Sequence, residues 1–523
     1  MNLRPAPAPA PADPPQPLRW VAPEVVLRRD APADADLEGY DALAVPVAPG
    51  ESLENGDPGV SPRPGAADAA LRYRIDLGVA CVAEKISGDA GTATRLPVAA
   101  PPGAPRRLII IGVGDSSPAA LRRSAAALAR TAGVSGDVAT TIADGVGSAG
   151  VRAVVEGFLL ASYVQPVTGR KAVSAAERAP RRLLLLGDVA QADVTRALVA
   201  VTATVLARDL AATPSNLKDP AWMVAQAREV ASPLRLKVDV WDEARLRRDG
   251  FGAILAVGSG SSSPPALVQV GYTPRGRPAA PHVVLVGKGI TYDTGGLDIK
   301  PGEGMVAMKT DMTGAAVVLA VVAAAARLRL GVRVTALLPL AENAFGGSAY
   351  RPGDVVTHYG GRTTEVNNTD AEGRMVLGDA LAYADEALDP DVVVDVATLT
   401  GAASLGLGKR HAALFATDDA LAAQLSAAAQ TSGERLWRMP LEQDYAVELA
   451  SDIADARQVA SRPGVGAGAI LAALFLQPFT GGRRWAHLDI AGPGRADGPE
   501  HEVTRGATGF GTRVLVDWLE SLS

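Results

Sequence analysis

The segment that decides the fold is Val283-Val284-Leu285-Val286-Gly287-Lys288-Gly289, which continues to Pro301 as Ile-Thr-Tyr-Asp-Thr-Gly-Gly-Leu-Asp-Ile-Lys-Pro. Its four consecutive apolar residues are typical of a strand that is buried on both faces, as in a parallel sheet. The strand leads into a glycine-rich loop that carries Lys288 and Asp293. Open α/β sheets bind ligands beyond the carboxyl ends of their strands, so this loop is a candidate site. The alternative is a solvated lysine among ordinary turn glycines.

A second polar segment reads Asn368-Thr369-Asp370-Ala371-Glu372-Gly373-Arg374, between a strand pattern at 363–366 and apolar residues at helical spacing. On an extended backbone Asp370, Glu372 and Arg374 project to the same side. Two acids placed so close together are costly unless a bound divalent cation neutralises them. Alternatively, Asp370 or Glu372 caps the N-terminus of the helix that follows.

Together, these two segments resemble the motifs of the leucyl aminopeptidase family of two-metal exopeptidases. The resemblance runs from about Leu206 to the C-terminus and is weakest in the first 189 residues. It implies one ion held by Lys288, Asp293, Asp311 and Glu372, and another held by Asp293, Asp370 and Glu372. Lys288 must be neutral to act as a ligand, although a free lysine is protonated up to a pH of about 10.4. The alternative is that Lys288 is a counter-ion to the neighbouring acids.

The same resemblance implies roles for two further cations. Lys300 is expected to polarise the scissile carbonyl or steady the tetrahedral oxyanion, and Arg374 to anchor a bicarbonate that relays protons as a general base. Both could instead be ion-pair residues that balance the acidic centre. The predicted substrate-binding residues are Met308, Asn368, Thr398, Leu399 and Gly401. For Met308, ordinary core packing is the alternative.

Two departures from the family pattern concern the surroundings of this site. Asp298 adds an acid close to Lys300, and we expect it to raise the pKa of that lysine. The tail Ala491-Gly492-Pro493-Gly494-Arg495-Ala496-Asp497-Gly498 lacks the aromatic segment that relatives often have there. The outer substrate rim and the subunit contacts are therefore left open by the sequence.

The chain of 523 residues is long enough for two cores, and its patterns predict an α/β protein with two domains. Residues 1–19 are predicted to be a Pro/Ala-rich arm without regular structure. Residues 20–189 are predicted to form a smaller N-terminal α/β domain, for which the family resemblance implies a role in assembly and access. Residues 190–523 form a larger catalytic domain with a mostly parallel, helix-covered sheet. A helix over 190–212 carries the chain between the two. Gly112-Val113-Gly114 follows a strand but lacks the third glycine of a dinucleotide loop.

Composition excludes several classes of protein. The net charge of -6 argues against a general nucleic-acid surface. Cys81 is the only cysteine and the five histidines are scattered, so any metal must rest mainly on oxygen ligands. A single cysteine also fits a reducing compartment. The N-terminus has no apolar signal region, and the apolar run 315–326 is shorter than the roughly 18 to 20 residues that span a bilayer, so we expect a cytoplasmic protein without a membrane segment.

The predicted function is removal of the N-terminal residue, leucine-like or broader, from peptides with a free amino terminus. The water would be activated between two divalent ions, Mn²⁺ or Zn²⁺. A homohexamer is implied by the resemblance alone. Two alternatives remain at this point, namely a DNA-binding architectural protein and a two-metal hydrolase of a non-peptide substrate such as a phosphoester.

Overall fold

Two helix-covered sheets, one in each half of the chain, form the frame of the protein. The structure is a computed structural model that describes residues 20–51, 59–133, 136–165, 181–462 and 464–523. The arm predicted at 1–19 lies outside the described residues.

The first half folds around a seven-stranded sheet. Its strands are β1 Glu24–Arg28, β2 Ala42–Pro49, β3 Val60–Pro62, β4 Ala93–Leu96, β5 Arg107–Gly112, β6 Val138–Thr140 and β7 Arg182–Leu186. Its helices are α1 Ala66–Tyr73, α2 Leu77–Ala83, α3 Pro118–Ala132 and α4 Gly147–Ala161. The strand order is β1-β7-β6-β2-β5-β4, with β3 paired to β2. The pairs β2/β3 and β4/β5 are antiparallel, and the other pairs are parallel. One core lies between the sheet and α3 and α4, and a smaller core lies under α1 and α2.

The second half folds around a nine-stranded sheet in the order β17-β16-β19-β15-β10-β12-β9-β8, with β11 paired to β12. Its strands are β8 Lys237–Trp241, β9 Ala266–Tyr272, β10 His282–Gly287, β11 Gly289–Asp293, β12 Arg333–Asn343, β15 Val392–Ala397, β16 His411–Ala416, β17 Arg435–Arg438 and β19 Arg484–Asp489. The pairs β12/β9, β9/β8 and β16/β19 are antiparallel, and the other pairs are parallel. The predicted mostly parallel sheet is therefore present.

Helices cover both faces of this sheet. They are α5 Gln191–Ala212, α6 Pro220–Ala231, α7 Glu243–Asp249, α8 Gly252–Gly258, α9 Gly302–Met305, α10 Thr313–Leu328, α11 Glu372–Tyr383, α12 Gly401–Leu407, α13 Asp419–Ser432, α14 Gly468–Leu476 and α15 Thr512–Ser521. One core holds α5, α6, α10, α13 and α15, and the core on the other face holds α7, α8, α11, α12 and α14. Two small sheets complete the fold, one of β13 Val355–Thr357, β14 Thr363–Glu365 and β18 Ala456–Arg457, the other of β20 Arg495–Ala496 and β21 Gly506–Ala507.

Helix α5 joins the two halves because it is buried in both. Val194 and Val201 belong to the core of the first half, whereas Ala207 and Leu210 belong to the core of the second half. The helix begins one residue after the predicted boundary at 190, but its packing is shared, so the division of the chain at that residue stays a prediction.

Helix α10 is the most apolar helix of the core. Together with the short turns before it, the segment Gly302–Leu328 has the length and composition to cross a bilayer, but 83% of its most apolar window is buried inside the protein. Every residue from Thr313 to Ala325 is buried. Packing on all sides explains the missing polar face, as expected for the central helix of a large core.

Five parallel strands have their carboxyl ends on the same side of the large sheet, which is called the carboxyl edge below. They are β10, β11, β12, β15 and β19. Parallel register places Gly287 of β10 beside Val396 of β15, and the Lys288 amide donates to the Val396 carbonyl at 3.0 Å. Helix α10 starts against this edge, where a Cβ on Gly314 would lie 2.1 Å from the Val396 oxygen. Only glycine permits this close approach of helix and strand, which brings the loops at this edge together.

Candidate metal centre

Three buried or partly buried carboxylates converge at this edge. Asp293 ends β11, Asp370 lies in the loop before α11, and Glu372 is the first residue of α11. One oxygen of each lies within 4.8 Å of the others. The sequence expectation that the two polar segments meet is therefore correct.

Lys288 and Asp311 complete the acidic centre. Lys288 Nζ lies 2.9 Å from Asp311 Oδ1 and 2.9 Å from Glu372 Oε1, and donates to the Thr398 carbonyl at 3.0 Å. Thr398 Oγ1 donates to Asp311 Oδ1 at 2.7 Å. A Cβ on Gly373 would lie 2.3 Å from Lys288 Cε, so the glycine of the second segment leaves the space through which this lysine reaches the acids.

Lys300 contacts the other side of the centre. Its Nζ lies 2.9 Å from Asp293 Oδ2 and also contacts Asp370 Oδ1. Burial opposes the charge of this ammonium, but Asp293 and the other carboxylates raise its pKa above the usual value. Lys300 is therefore protonated at neutral pH and available as a hydrogen-bond donor.

Hydrogen bonds from the backbone and from amide side chains fix the acids. Asp293 Oδ1 accepts from the Gly295 amide and from Asn343 Nδ2, both at 2.8 Å. Asn368 Oδ1 accepts from the Asp370 amide at 2.8 Å. Asn343 was not predicted from the sequence, although a polar residue that ends the apolar strand β12 was a usable signal.

Asp298 has a role that was not expected. Its Oδ2 accepts hydrogen bonds from the Thr369 amide at 2.7 Å and from Thr369 Oγ1 at 2.9 Å. It therefore ties the first loop to the second. The largest contributions that raise the pKa of Lys300 come from Asp293, Asp370 and Glu372, and the expected contribution of Asp298 to this pKa stays a prediction.

Arg374 lies behind the acids on α11. Its Nη1 donates to the Gln458 carbonyl at 2.5 Å, and its Nε has no hydrogen-bond partner among the described residues. Burial lowers the pKa of this guanidinium to about 10, so it stays charged. Gln458 also accepts from the amides of Asn367 and Asn368, at 3.1 and 3.2 Å, and so holds the second segment in place. No local pattern marks Gln458, which arrives 84 residues after Arg374 in the chain.

The environment of Glu372 indicates that these residues suit a divalent metal ion. Its side chain is 1% exposed, and within the described parts of the chain its Oε2 has no hydrogen bond. Burial first, and then the charge of Asp293, raises the pKa of this carboxyl to about 8. An unpartnered buried carboxylate oxygen beside two further acids is costly by itself and is the donor set that hard divalent cations take.

A cavity of about 450 Å³ opens beside this centre. Four of the five predicted substrate-binding residues line it, namely Met308, Thr398, Leu399 and Gly401. Asn368 is not among the lining residues; its side chain holds the Asp370 amide, and its contact with substrate stays a prediction. Asp489, which was not predicted, accepts from the Leu399 and Thr400 amides at 3.1 and 3.0 Å and positions this wall.

The fold and the site define an α/β protein with a buried centre of carboxylates and lysines, a donor set that suits divalent ions, at the carboxyl ends of the strands of its large sheet. Comparison with known proteins identifies the family to which the chain belongs. The model of the cytosol aminopeptidase family catalytic domain matches residues 205–516, and that of the family's N-terminal domain matches residues 61–168. The chain belongs to the cytosol aminopeptidase family.

Curated relatives and solved structures agree. The chain is 46% identical to the "Probable cytosol aminopeptidase" of Leifsonia xyli subsp. xyli over 71% of its length and 76% of that protein. It is 42% identical to the one of Clavibacter michiganensis subsp. michiganensis over 84% and 89%. A mutant of tomato leucine aminopeptidase has a TM-score of 0.83 and 30% identity, with 97% and 98% of the two chains covered. The bottromycin maturation enzyme BotP in complex with Mn has a TM-score of 0.79 and 36% identity, with 92% and 100% covered.

These matches bear out the predicted family, the two-domain α/β fold and the activity. The protein is a metal-dependent aminopeptidase that hydrolyses the N-terminal residue of peptides. None of these four relatives is named as a DNA-binding protein or a phosphoesterase, and the comparisons give the two alternatives no support.

Proposed function

We propose that the described centre is the catalytic site of this aminopeptidase and that it holds two divalent ions. The proposed ligands are Lys288, Asp293, Asp311, Asp370 and Glu372. The observation that carries the proposal is the unpartnered Oε2 of the buried Glu372 within a group of converging carboxylates. Mn²⁺ or Zn²⁺ are the proposed ions, since oxygen donors with one nitrogen suit both and a similar structure is described with Mn.

Bound there, the ions would supply a water of lowered pKa and a Lewis acid for the scissile carbonyl. Lys288 acts as a ligand only as a neutral amine. The three carboxylates around it favour its ammonium form, and a dication at the same place reverses that preference. A free amino terminus is a good metal ligand and an internal peptide nitrogen is a poor one, which restricts cleavage to the first residue.

Lys300 and Arg374 are the proposed catalytic residues of the chain. Lys300 is held by Asp293 and Asp370 with its ammonium protonated, so it donates a hydrogen bond to the oxygen that becomes negative during attack. Arg374 lines the cavity with a planar, charged guanidinium whose Nε is unpartnered among the described residues. Such a group suits a small bidentate anion, and bicarbonate held there would carry a proton from the water to the leaving amine.

The remaining parts of the proposal concern the whole protein. Residues 190–523 are the catalytic part and residues 20–189 serve assembly and access. The protein works in the cytoplasm as a homohexamer, and the wall near Met308 favours leucine-like first residues with broad tolerance.

Metal stoichiometry tests the centre directly. Equilibrium dialysis of metal-stripped protein against Mn²⁺ or Zn²⁺ is expected to give two ions per chain, and Glu372→Gln is expected to bind at least one of them much more weakly. Asp452→Asn, an exposed acid, is the matched control and is expected to keep both ions. Full binding by Glu372→Gln would overturn the assignment of this centre.

A further inference from the structure

Two cations outside the metal centre line the same cavity, Lys409 and Arg495. Lys409 Nζ is already paired with the exposed Asp497. Arg495 is partly buried and makes no hydrogen bond or ion pair to any residue that the structure describes. A guanidinium is permanently charged and carries five donors. Its charge acts on the exposed Asp497, but that acid is in direct contact with Lys409 and not with Arg495.

Arg495 lies at the wall of the cavity on a short β-ribbon. Its backbone pairs with Ala507 across the ribbon of β20 and β21. Met308 lines the same cavity as Arg495. The guanidinium and the segment proposed to form the wall of the pocket for the first side chain therefore border one space.

The chain leaves room for a ligand next to this guanidinium. Ala491, Gly492 and Gly494 line the cavity beside it and contribute no bulky side chain. At Gly494 a Cβ would lie 2.7 Å from the Ile490 oxygen, so the backbone there does not accept a larger residue without shifting. Small residues and one arginine therefore stand where relatives often have an aromatic segment.

We propose that Arg495 is a specificity-determining residue that binds a carboxylate on the first side chain of the substrate, so that N-terminal glutamate and aspartate are accepted as well as leucine. This rests on the proposed function of the metal centre, since it gives the same cavity a second substrate class. Met308 packs against the methylene stem while Arg495 pairs with the carboxylate.

The charge-assisted pair gives the expected size of the effect. Glutamine has the shape of glutamate without its charge, and a site with an unpaired guanidinium discriminates against it because that charge stays unmatched. We expect the wild-type kcat/KM for Glu-Leu-amide to exceed that for Gln-Leu-amide by about 10- to 100-fold.

The test measures kcat/KM for Leu-Leu-amide, Glu-Leu-amide and freshly dissolved Gln-Leu-amide with Mn²⁺-loaded protein. Arg495→Met is expected to remove the preference for glutamate over glutamine while the leucine substrate is cut within about threefold of wild type. Arg495→Lys keeps the charge without the fork and is expected to retain part of the preference. Arg505→Met changes the same charge at an exposed position outside the cavity lining and is expected to keep the wild-type ratio.

A second arm identifies the source of the carboxylate. Leu-Glu-amide and Leu-Gln-amide are compared, and equal rates are expected because the proposed partner is the first side chain. Three results would each overturn the inference: a glutamate preference only at the second residue, no preference in the wild type, or an unchanged preference in Arg495→Met. If Leu-Leu-amide is still cut in these cases, the proposed metal centre stands. If the Mn²⁺-loaded wild-type protein cut none of these peptides, the proposed function would be overturned together with the inference.

Discussion

Asp298 is the residue whose role the sequence did not reveal, although its position near the site was clear. Its carboxylate accepts two hydrogen bonds from Thr369, and Thr369 precedes Asp370. It therefore helps to position Asp370, a proposed metal ligand, from the opposite loop. Misplacement of a catalytic group by a fraction of an ångström is enough to slow an enzyme.

We expect Asp298→Ala to lower kcat/KM for a leucyl peptide by about 10-fold, because the Oδ2 atom that accepts both Thr369 hydrogen bonds is lost and Asp370 shifts. Asp298→Asn keeps one acceptor oxygen and is expected to lose less. Steady-state kinetics at saturating Mn²⁺ checks this. Wild-type kinetics in Asp298→Ala would show that the loop holds its position without this contact.

The local patterns marked residues that the fold brings together, because these residues are concentrated in two short segments; their role as metal ligands stays a prediction. What they could not predict is the support that arrives from elsewhere in the chain. Gln458 and Asp489 are single polar residues far from both segments in sequence, and only the fold brings them to the site. Spacing along a strand or helix carries no information on such contacts.

At the scale of elements, the buried strand β10 was predicted well because it is continuously apolar. The antiparallel edges were not, since β8, β9 and β16 have the same local pattern as parallel strands. Pairing direction depends on the connection and the neighbours, and a single strand does not encode it.

Asp379 on α11 joins two elements near the site. Its Oδ2 accepts from the amides of Ala253 and Ile254 at 3.0 and 2.9 Å, in the first turn of α8. Its Oδ1 accepts from the Tyr359 amide at 3.1 Å and lies 3.1 Å from His358 Nδ1. The side chain is fully buried, so these donors have no access to water.

Asp379→Asn is therefore expected to destabilise the protein by about 3 kcal/mol or more, because an amide NH₂ would face backbone donors in place of a carboxylate oxygen. Urea denaturation of wild type and variant measures the free energy of unfolding. The exposed Asp452→Asn serves as the control and should change it by less than about 0.5 kcal/mol. An equal stability of the two variants would contradict the assigned contacts.

His282, at the start of β10, makes stability depend on pH. Burial, and then Arg333, lowers the pKa of this imidazole from 6.5 to about 4. The unfolded chain takes up the proton near pH 6.5 and the folded chain only near pH 4, so stability is lost as pH falls through this window. Asp391 lies on the neighbouring segment and partly opposes this effect.

The expected result is a lower unfolding midpoint in urea at pH 5 than at pH 7.5, with a smaller difference in His282→Gln. Equal pH dependence in the two proteins would mean that other groups cause it. The comparison is made with metal-free protein, so that ligand protonation at the metal centre does not add a metal-release effect.

At the scale of the whole molecule, the sequence predicted two α/β parts, and helix α5 shows why their boundary is hard to define. Its N-terminal part packs in the core of the first half and its C-terminal part packs in the core of the second half. The boundary between the two cores therefore lies within the helix and not before it. The two parts share the packing of α5, whereas assembly depends on surfaces that local patterns do not mark.

The proposed homohexamer gives a mass of about 320 kDa, six times the 53.5 kDa chain. Light scattering after size exclusion, at several concentrations, measures it. A mass that stays near that of a single chain would contradict the hexamer and leave the metal centre untouched.

The most direct test of the central claim is hydrolysis of a leucyl peptide and of its N-acetylated twin. The protein is first stripped of metal, and Mn²⁺ or Zn²⁺ is then added back to wild type and to Glu372→Gln. The account predicts cleavage of the free peptide alone, only with metal present, and a loss of at least about 1,000-fold in Glu372→Gln. Cleavage of the acetylated peptide, cleavage without metal, or full activity of Glu372→Gln would contradict it.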